Sequence, residues 1–291
     1  MMITVLGAGG NTGGRVASML LDRGCAVRVV GRNPAKLSAL ARRGAQAMVG
    51  DSTDWRFLKS AFDDADAAYL LLAPDVSAPD YPAAQDEMGE AICAALAESS
   101  VRRAVALSSL GADKTGPTGV IQGLRRQEAR LERIDALGLT VLRPASFFEN
   151  VLPQVEPARA TGVLADLYAP ALRIPMVAAQ DIAAAAVRAL AKPASAVQPV
   201  QELLGPEDVC HDEIALMLGR TLGVTLRYVR MPEEAMFDSL AGFGASRSFA
   251  LAYLEMVRAI NDRALQPQEG RHAGNTTETG FARFLETTFA S

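Results

Sequence analysis

The chain has 291 residues, of which 49% are hydrophobic, and its formal net charge at pH 7 is −4. A chain of this length and composition can bury a sizeable core, either as one large domain or as a domain with an added lobe. Because it has no surplus of basic residues to neutralise phosphates, the charge argues against nucleic acid or an acidic membrane surface as the main partner.

Few residues could hold a metal ion or form disulfides. Cys25, Cys93 and Cys210 are scattered and lack Cys-x-x-Cys spacing, and His211 and His272 are the only histidines. We therefore expect no metal site. No basic leader segment is visible, and no apolar run reaches the roughly 18 residues of a membrane helix. We expect a cytoplasmic protein whose partner is a small molecule or another protein.

The first predicted strand, Ile3 to Leu6, leads through a glycine-rich turn into the first predicted helix. That helix has an apolar face formed by Val16, Met19 and Leu20, which are spaced at i, i+3 and i+4. The turn therefore lies between a clear strand and a clear helix, which is the context that a dinucleotide-binding turn requires.

Gly7, Gly10 and Gly13 have the Gly-x-x-Gly-x-x-Gly spacing of such turns. Without side chains the backbone can turn tightly, approach a pyrophosphate and pack the helix against the strand. We assign Asn11 and Thr12, at the start of the helix, to the cofactor site, because the unpaired N–H groups of the first turn favour an anion. A tight turn without a ligand is the alternative for the motif alone, but the flanking strand and helix favour dinucleotide binding.

Predicted strands and helices alternate through the first half of the chain. The strand Ala67 to Leu72 is almost continuously apolar, which is typical of a parallel strand buried on both faces. The alternation predicts right-handed crossovers and an α/β fold with a doubly wound parallel sheet. The other predicted strands are 25–30, 45–49, 104–107 and 139–142, and the predicted helices are 36–43, 55–62, 83–98 and 123–137.

The regular alternation ends near residue 150. We predict a dinucleotide-binding domain over residues 1–150, and residues 178–204, with an alanine-rich helix at 181–191 and a strand at 200–204, pack back on it. Residues 151–177 and 205–291 are predicted to form a smaller lobe with helices at 212–222, 233–240, 246–262 and 278–289. An apolar stripe on the third of these is expected to be lobe core or the face of a homodimer: Phe249, Tyr253, Met256, Val257 and Ile260.

The residue after the second strand indicates which dinucleotide is bound. An acidic residue there would accept hydrogen bonds from the ribose hydroxyls of NAD, but this chain has Arg32. A planar guanidinium suits a 2′-phosphate, and Asn33 and Lys36 add donors nearby, which predicts NADP(H). A solvated surface arginine is the alternative. Asp51, after the third strand, could reach the adenine amino group or could form a turn.

Three ordered motifs resemble the NmrA-like branch of the atypical short-chain dehydrogenase/reductases. They are the glycine turn, the segment Val-Ala-Leu-Ser-Ser-Leu-Gly-Ala at 105–112 and the segment Leu-Arg-Pro-Ala-Ser-Phe-Phe-Glu-Asn at 142–150. Further likeness at 174–177, 181–183, 255–256 and 275–277 extends over essentially the whole chain. The resemblance implies a Rossmann-type domain with a smaller C-terminal α/β lobe, and NADP(H) lying across the strand ends. We assign Ala73, Ser108, Pro144 and Phe147 to the same cofactor site.

The chain lacks the Tyr-x-x-x-Lys pair of classical members, since no lysine follows any of its five tyrosines by four residues. Relatives in the family commonly carry a lysine or histidine on the helix before Arg143, where this chain has Arg125. Arginine stays protonated, so it can orient an anion but is a poor general acid. Ser108 and Ser109, at a strand end, could donate to a substrate carbonyl or cap the next turn. These two serines and Arg125 are the candidate catalytic residues.

Phe148, Tyr168 and Met176 could line an apolar or aromatic substrate pocket, with core packing as the alternative. His211 precedes Asp212 and is expected to help cap a helix. Two functions fit these residues. The first is an NADPH-dependent oxidoreductase that reduces a quinone, imine or activated alkene, since these acceptors need no Tyr/Lys pair. The second is a non-catalytic protein that senses NADPH and regulates a partner.

Overall fold

The computed structural model describes residues 1–72, 75–191 and 199–290. Strands in this part of the chain are β1 (Met2–Val5), β2 (Ala26–Gly31), β3 (Gln46–Val49), β4 (Ala67–Leu70), β5 (Arg103–Leu107), β6 (Gly138–Pro144), β7 (Ser146–Phe147), β8 (Val163–Asp166), β9 (Ile174–Val177), β10 (Val200–Leu203), β11 (Asp208–Val209) and β12 (Arg227–Arg230).

The α-helices in the same ranges are α1 (Asn11–Asp22), α2 (Pro34–Arg42), α3 (Trp55–Phe62), α4 (Tyr81–Ala97), α5 (Ile121–Leu131), α6 (Val155–Thr161), α7 (Ala179–Ala191), α8 (His211–Leu222), α9 (Glu233–Gly242), α10 (Arg247–Asn261) and α11 (Phe281–Phe289). A 3₁₀ helix, Phe148–Gln154, joins β7 to α6. No helix among the described residues is long and apolar enough to cross a membrane.

The central element is a seven-stranded parallel sheet in the order β3-β2-β1-β4-β5-β6-β10. Val5 of β1 lies opposite Val29 of β2 on one side and Tyr69 of β4 on the other. The strand order reverses at β1 and β4, and the carboxyl ends of the strands at such a switch point form the crevice where α/β proteins bind ligands. The predicted α/β fold with a doubly wound parallel sheet is confirmed.

Helices cover both faces of this sheet. On one face α1 packs against α7, and Val16, Leu20 and Val187 share a core with Ile3 and Val29 of the strands. On the other face α3, α4 and α5 contribute buried side chains that include Leu58, Phe62, Ile92 and Leu131. Burial on both faces explains why an inner strand such as β4 is apolar along its length rather than alternating.

A separate core lies outside the large sheet. It contains side chains from the 3₁₀ segment and from α6, α8, α9, α10 and α11, together with two small sheets of order β11-β9-β7 and β12-β8. Phe148 packs edge-on against Phe281 at the centre of this core, with ring centroids 5.1 Å apart. We call this part of the chain the second core. The domain bounds given above stay a prediction.

The predicted helix at 123–137 is wrong at its C-terminal end. The helix α5 stops at Leu131, and turns connect it to β6. Ala136 has a φ of +59°, which a helix cannot contain because right-handed helices need a negative φ. The shorter helix brings its buried face under the ends of β5 and β6.

Candidate cofactor site

The glycine turn joins β1 to α1 with very close packing. Gly7 has a φ of +63°, which favours glycine, and its carbonyl oxygen accepts a hydrogen bond from Gly10 N at 2.9 Å. A Cβ atom on Gly13 would lie 2.5 Å from the Gly7 carbonyl oxygen and 2.8 Å from that of Leu6. Any side chain at position 13 would therefore push the helix off the strand.

The first turn of α1 suits an anionic group. Gly10 is the N-cap residue, no described side chain caps the helix, and the first turn carries no acidic residue. Its N–H groups and the positive end of the helix dipole are therefore directed at the crevice above β1. Asn11 is exposed and Thr12 is buried at this end of the helix. The glycine turn and this helix end fit the pyrophosphate of a dinucleotide.

Arg32 and Lys36 lie beside the glycine turn. Arg32 follows β2, is exposed, and makes no hydrogen bond or ion pair with any described residue. Lys36 is close to the turn, since a Cβ atom on Gly9 would lie 3.1 Å from the Lys36 Cβ. Asn33 is the N-cap of α2, where its Oδ1 accepts a hydrogen bond from Ala35 N at 2.9 Å. Two cations therefore stand where the 2′-phosphate of NADP(H) is predicted.

The other predicted cofactor residues follow later strands. Asp51 Oδ1 accepts a hydrogen bond from Thr53 N at 3.0 Å, so its side chain forms a turn after β3. Pro144 is buried at the end of β6, and Phe147 in β7 is half-buried. Ala73 lies outside the described residues. Contacts of these four residues with the cofactor stay a prediction.

A buried polar triad lies at the carboxyl ends of β5 and β6. Ser108 Oγ donates a hydrogen bond to Glu128 Oε1. Arg143 donates to the same carboxylate from Nε at 3.0 Å and from Nη2 at 2.5 Å. All three residues are buried, and the hydrogen bond to Glu128 raises the pKa of Arg143 above its usual value. The guanidinium and carboxylate thus compensate each other's charge where water is scarce.

The hydrogen bond to Glu128 determines whether the Ser108 hydroxyl can donate to a substrate. A serine hydroxyl has one hydrogen, and that of Ser108 is donated to Glu128, so the oxygen faces other groups as an acceptor. Sequence reasoning missed Glu128. The sequence does contain an indication that Glu128 is buried. Leu124, Glu128 and Leu131 have the spacing of one helix face, which places the acid among apolar residues.

Ser109 and Arg125 make no hydrogen bond or ion pair with the described residues of the triad. Ser109 Oγ donates to the Leu110 carbonyl oxygen at 3.1 Å, and the Ser109 carbonyl accepts from Ala112 N in the following turn. Arg125 is exposed on α5 and makes no hydrogen bond or ion pair with a described residue. Their catalytic roles stay predictions.

The three predicted pocket residues lie together in the second core. Phe148, Tyr168 and Met176 are all buried there, which is the packing that the sequence left open as an alternative. Tyr168 stacks on His211 with ring centroids 4.4 Å apart. Contact of these three side chains with a substrate stays a prediction.

The predicted capping role of His211 is wrong. Cys210 is the N-cap of α8, and Glu213 completes a capping box by accepting a hydrogen bond from Cys210 N at 3.2 Å. His211 instead turns inward, and burial lowers its pKa to about 4. Among the described residues no group of three His, Cys, Asp or Glu side chains could hold a metal ion.

Comparisons with known proteins identify the family. A family described as NAD(P)H-binding matches residues 7–193. The NAD(P)H azoreductase of Xenophilus azovorans is 27% identical over 259 residues, which are 88% of this chain and 86% of that protein. The agroclavine dehydrogenase of Claviceps fusiformis is 35% identical over 144 residues, which are 48% of this chain and 47% of that protein.

Solved structures share the whole fold. The NADPH complex of an NADPH-dependent quinone oxidoreductase from Escherichia coli has a TM-score of 0.77 and 23% identity, covering 99% of this chain and 100% of its own. The NADP(H) complex of the Citrobacter sp. triphenylmethane reductase has a TM-score of 0.79 and 18% identity, covering 98% of this chain and 99% of its own. Because the matched residues include the glycine turn, the strands β2 to β6 and α7, the chain belongs to the NAD(P)H-binding family.

Proposed function

We propose that the chain is an NADPH-dependent oxidoreductase that reduces a small apolar or aromatic acceptor, such as a quinone, an imine or an activated alkene. The observation that carries the proposal is the buried Ser108–Glu128–Arg143 triad beside the crevice. A hydroxyl whose hydrogen is already donated to a carboxylate cannot also donate to a substrate oxygen. The acceptors that suit this site are those that take up hydride and receive their proton from water.

NADPH, when bound, supplies the hydride from its nicotinamide ring. The residues of the chain position the cofactor relative to the acceptor. The glycine turn and the first turn of α1 would hold the pyrophosphate, Arg32 and Lys36 would pair with the 2′-phosphate, and Pro144 and Phe147 would complete the cofactor site. Placement of two reactants at contact distance can by itself supply a large part of a rate enhancement.

The relatives support this acceptor class. By their names they act on azo compounds, quinones and triphenylmethane dyes. These acceptors are conjugated molecules to which a hydride can be added, and solvent can supply a proton where the product needs one. The related azoreductase spans most of this chain, which supports the same chemistry here rather than carbonyl reduction through a Tyr/Lys pair.

The test is consumption of NADPH by the purified protein against quinones, imines, enals and azo dyes. We expect turnover with at least one of these classes, and faster turnover with NADPH than with NADH at equal low concentrations. Binding of NADPH without turnover against any acceptor would contradict the enzyme. That result would favour the NADPH-sensing alternative, which predicts a change in oligomeric state or partner affinity between the apo and bound forms.

A further inference from the structure

Arg15 lies at the cofactor end of α1 although it is one turn into the helix. Its Nη1 donates to the Asn11 carbonyl oxygen at 2.8 Å. Helical side chains lean toward the N-terminus of their helix, and this hydrogen bond brings the guanidinium level with the first turn. Between Gly7 and Leu21, Arg15 is the only charged residue. It therefore stands next to the N–H groups that are directed at the crevice.

The second partner of Arg15 is a buried carboxylate. Glu149 Oε1 lies 3.5 Å from Arg15 Nη2, and the Glu149 side chain is 2% exposed. The Glu149 carboxylate also accepts from Ala179 N, the first residue of α7, at 3.0 and 3.2 Å. Since α7 packs against α1, Glu149 joins the N-terminal ends of two helices, two residues after Phe147 in the sequence.

We propose that Arg15 is a further cofactor-binding residue, which pairs with the pyrophosphate of NAD(P)H and is held in place by Glu149. An arginine has five N–H donors, and Asn11 and Glu149 engage only two of its nitrogens. The side chain is 39% exposed, so its remaining donors are accessible from solvent. Two fixed partners pre-orient the guanidinium and reduce the entropy lost when it binds an anion.

Pairing of Arg15 with the pyrophosphate affects cofactor binding and does not depend on which acceptor is reduced. A purely structural role for Arg15, as the counter-ion of Glu149, is the competing explanation, since a buried carboxylate needs a partner. The two roles differ in which ligands they affect. A pyrophosphate contact is shared by NADPH and NADH but is absent from adenosine 2′-monophosphate, which has no pyrophosphate.

Calorimetric titration without any acceptor therefore tests the inference. For Arg15→Gln we expect the affinities for NADPH and NADH to fall by the same factor, about tenfold, because a charge-assisted hydrogen bond is lost. Binding of adenosine 2′-monophosphate should stay at the wild-type value. Arg15→Lys should retain part of the NADPH affinity. The matched control is Arg32→Gln, which should weaken NADPH and adenosine 2′-monophosphate and leave NADH unchanged.

A double variant separates binding from stability. Arg15→Gln combined with Glu149→Gln leaves no unpaired buried charge, so it should fold better than Arg15→Gln alone in a urea titration. If Arg15 binds the pyrophosphate, this double variant regains stability but stays about tenfold weaker for NADPH. Recovery of wild-type NADPH affinity in the double variant would overturn the inference. Wild-type NADPH affinity in Arg15→Gln, or equal loss of all three ligands, would overturn it as well.

Discussion

At the scale of single residues, the presence or absence of a counter-ion distinguishes an arginine that is buried in the fold from one that can bind a ligand. Arg32 is exposed and makes no hydrogen bond or ion pair with the described residues, so it is available to a ligand. Arg143 is buried against Glu128, so its charge serves the fold. Sequence alone could not separate these arginines, because each follows or ends a predicted strand and the partner of Arg143 lies 15 residues away.

Removing the Arg32 charge should change the choice of cofactor. Arg32→Gln loses a charge-assisted contact with the 2′-phosphate, and such contacts contribute about 1.5–3 kcal/mol, so the NADPH affinity should fall at least tenfold. NADH lacks that phosphate and should bind as it does to the wild type. Titration of both cofactors checks this. Equal affinities of wild type and variant for NADPH would show that Arg32 is a solvated surface residue.

His211 should make the folded chain sensitive to acid. Burial lowers its pKa to about 4 from an ordinary value of 6.5, so the unfolded chain binds the proton more readily between these two values. The stability that neutral His211 contributes is complete above pH 6.5 and falls, by about 3 kcal/mol, as the pH drops to 4. The pKa of Asp166 is raised by burial, and its protonation favours the folded chain in acid, which opposes part of this loss.

The matched variant is His211→Phe, which keeps a ring against Tyr168 and cannot titrate. It also removes Nδ1, which is buried and has no hydrogen-bond partner in the described part of the chain. The free energy of unfolding in urea should therefore fall less between pH 7 and pH 5 in the variant than in the wild type. Parallel losses in the two proteins would contradict the assignment of acid sensitivity to His211.

At the scale of elements, two close contacts connect helices to the sheet at the site. Gly13 allows α1 to rest on the end of β1, and the Glu128–Arg143 ion pair joins α5 to β6. The glycine spacing was readable from the sequence because it is local. The ion pair was not, because nothing in the sequence around Glu128 says which cation its carboxylate meets.

A methyl group at position 13 should disturb both stability and binding. Gly13→Ala places a Cβ atom against two backbone carbonyl oxygens, and relief of that contact should cost about 1–3 kcal/mol and displace the first turn of α1. NADPH affinity should fall with it. Gly116→Ala is the control, since a Cβ atom there meets nothing within 4 Å. If thermal unfolding and NADPH titration gave the same values for both variants, the close-packing explanation would fail.

Removing one partner of the Glu128–Arg143 ion pair should destabilise the fold, and removing both partners should restore most of the lost stability. Arg143→Met leaves the Glu128 carboxylate buried without its cation, and we expect a loss of about 3–5 kcal/mol in the free energy of unfolding. Adding Glu128→Leu removes the stranded charge and should recover most of the loss. Urea titration of the single and double variants measures both effects, and strictly additive losses would rule out the pairing.

At the scale of the whole molecule, the strength of local signals decides how much of the fold is predictable. The strands and helices of the large sheet were expected near their observed positions because their apolar patterns are long and regular. The strands β7, β8, β9, β11 and β12 could not be predicted in this way, because they lie in the part of the chain where the regular alternation of strands and helices ends. The role of Glu149 could not be predicted from the sequence either, because its partners lie on α1 and α7.

The central claim is that a chain without a Tyr/Lys pair still transfers hydride from NADPH to a conjugated acceptor. The most direct measurement is anaerobic turnover of purified protein, in which NADPH consumed and acceptor reduced are both quantified. The account predicts equal amounts of the two for at least one quinone, imine or activated alkene, or two NADPH for each azo bond that is cleaved to two amines. Tight binding of NADPH with no consumption against every acceptor in that set would contradict it.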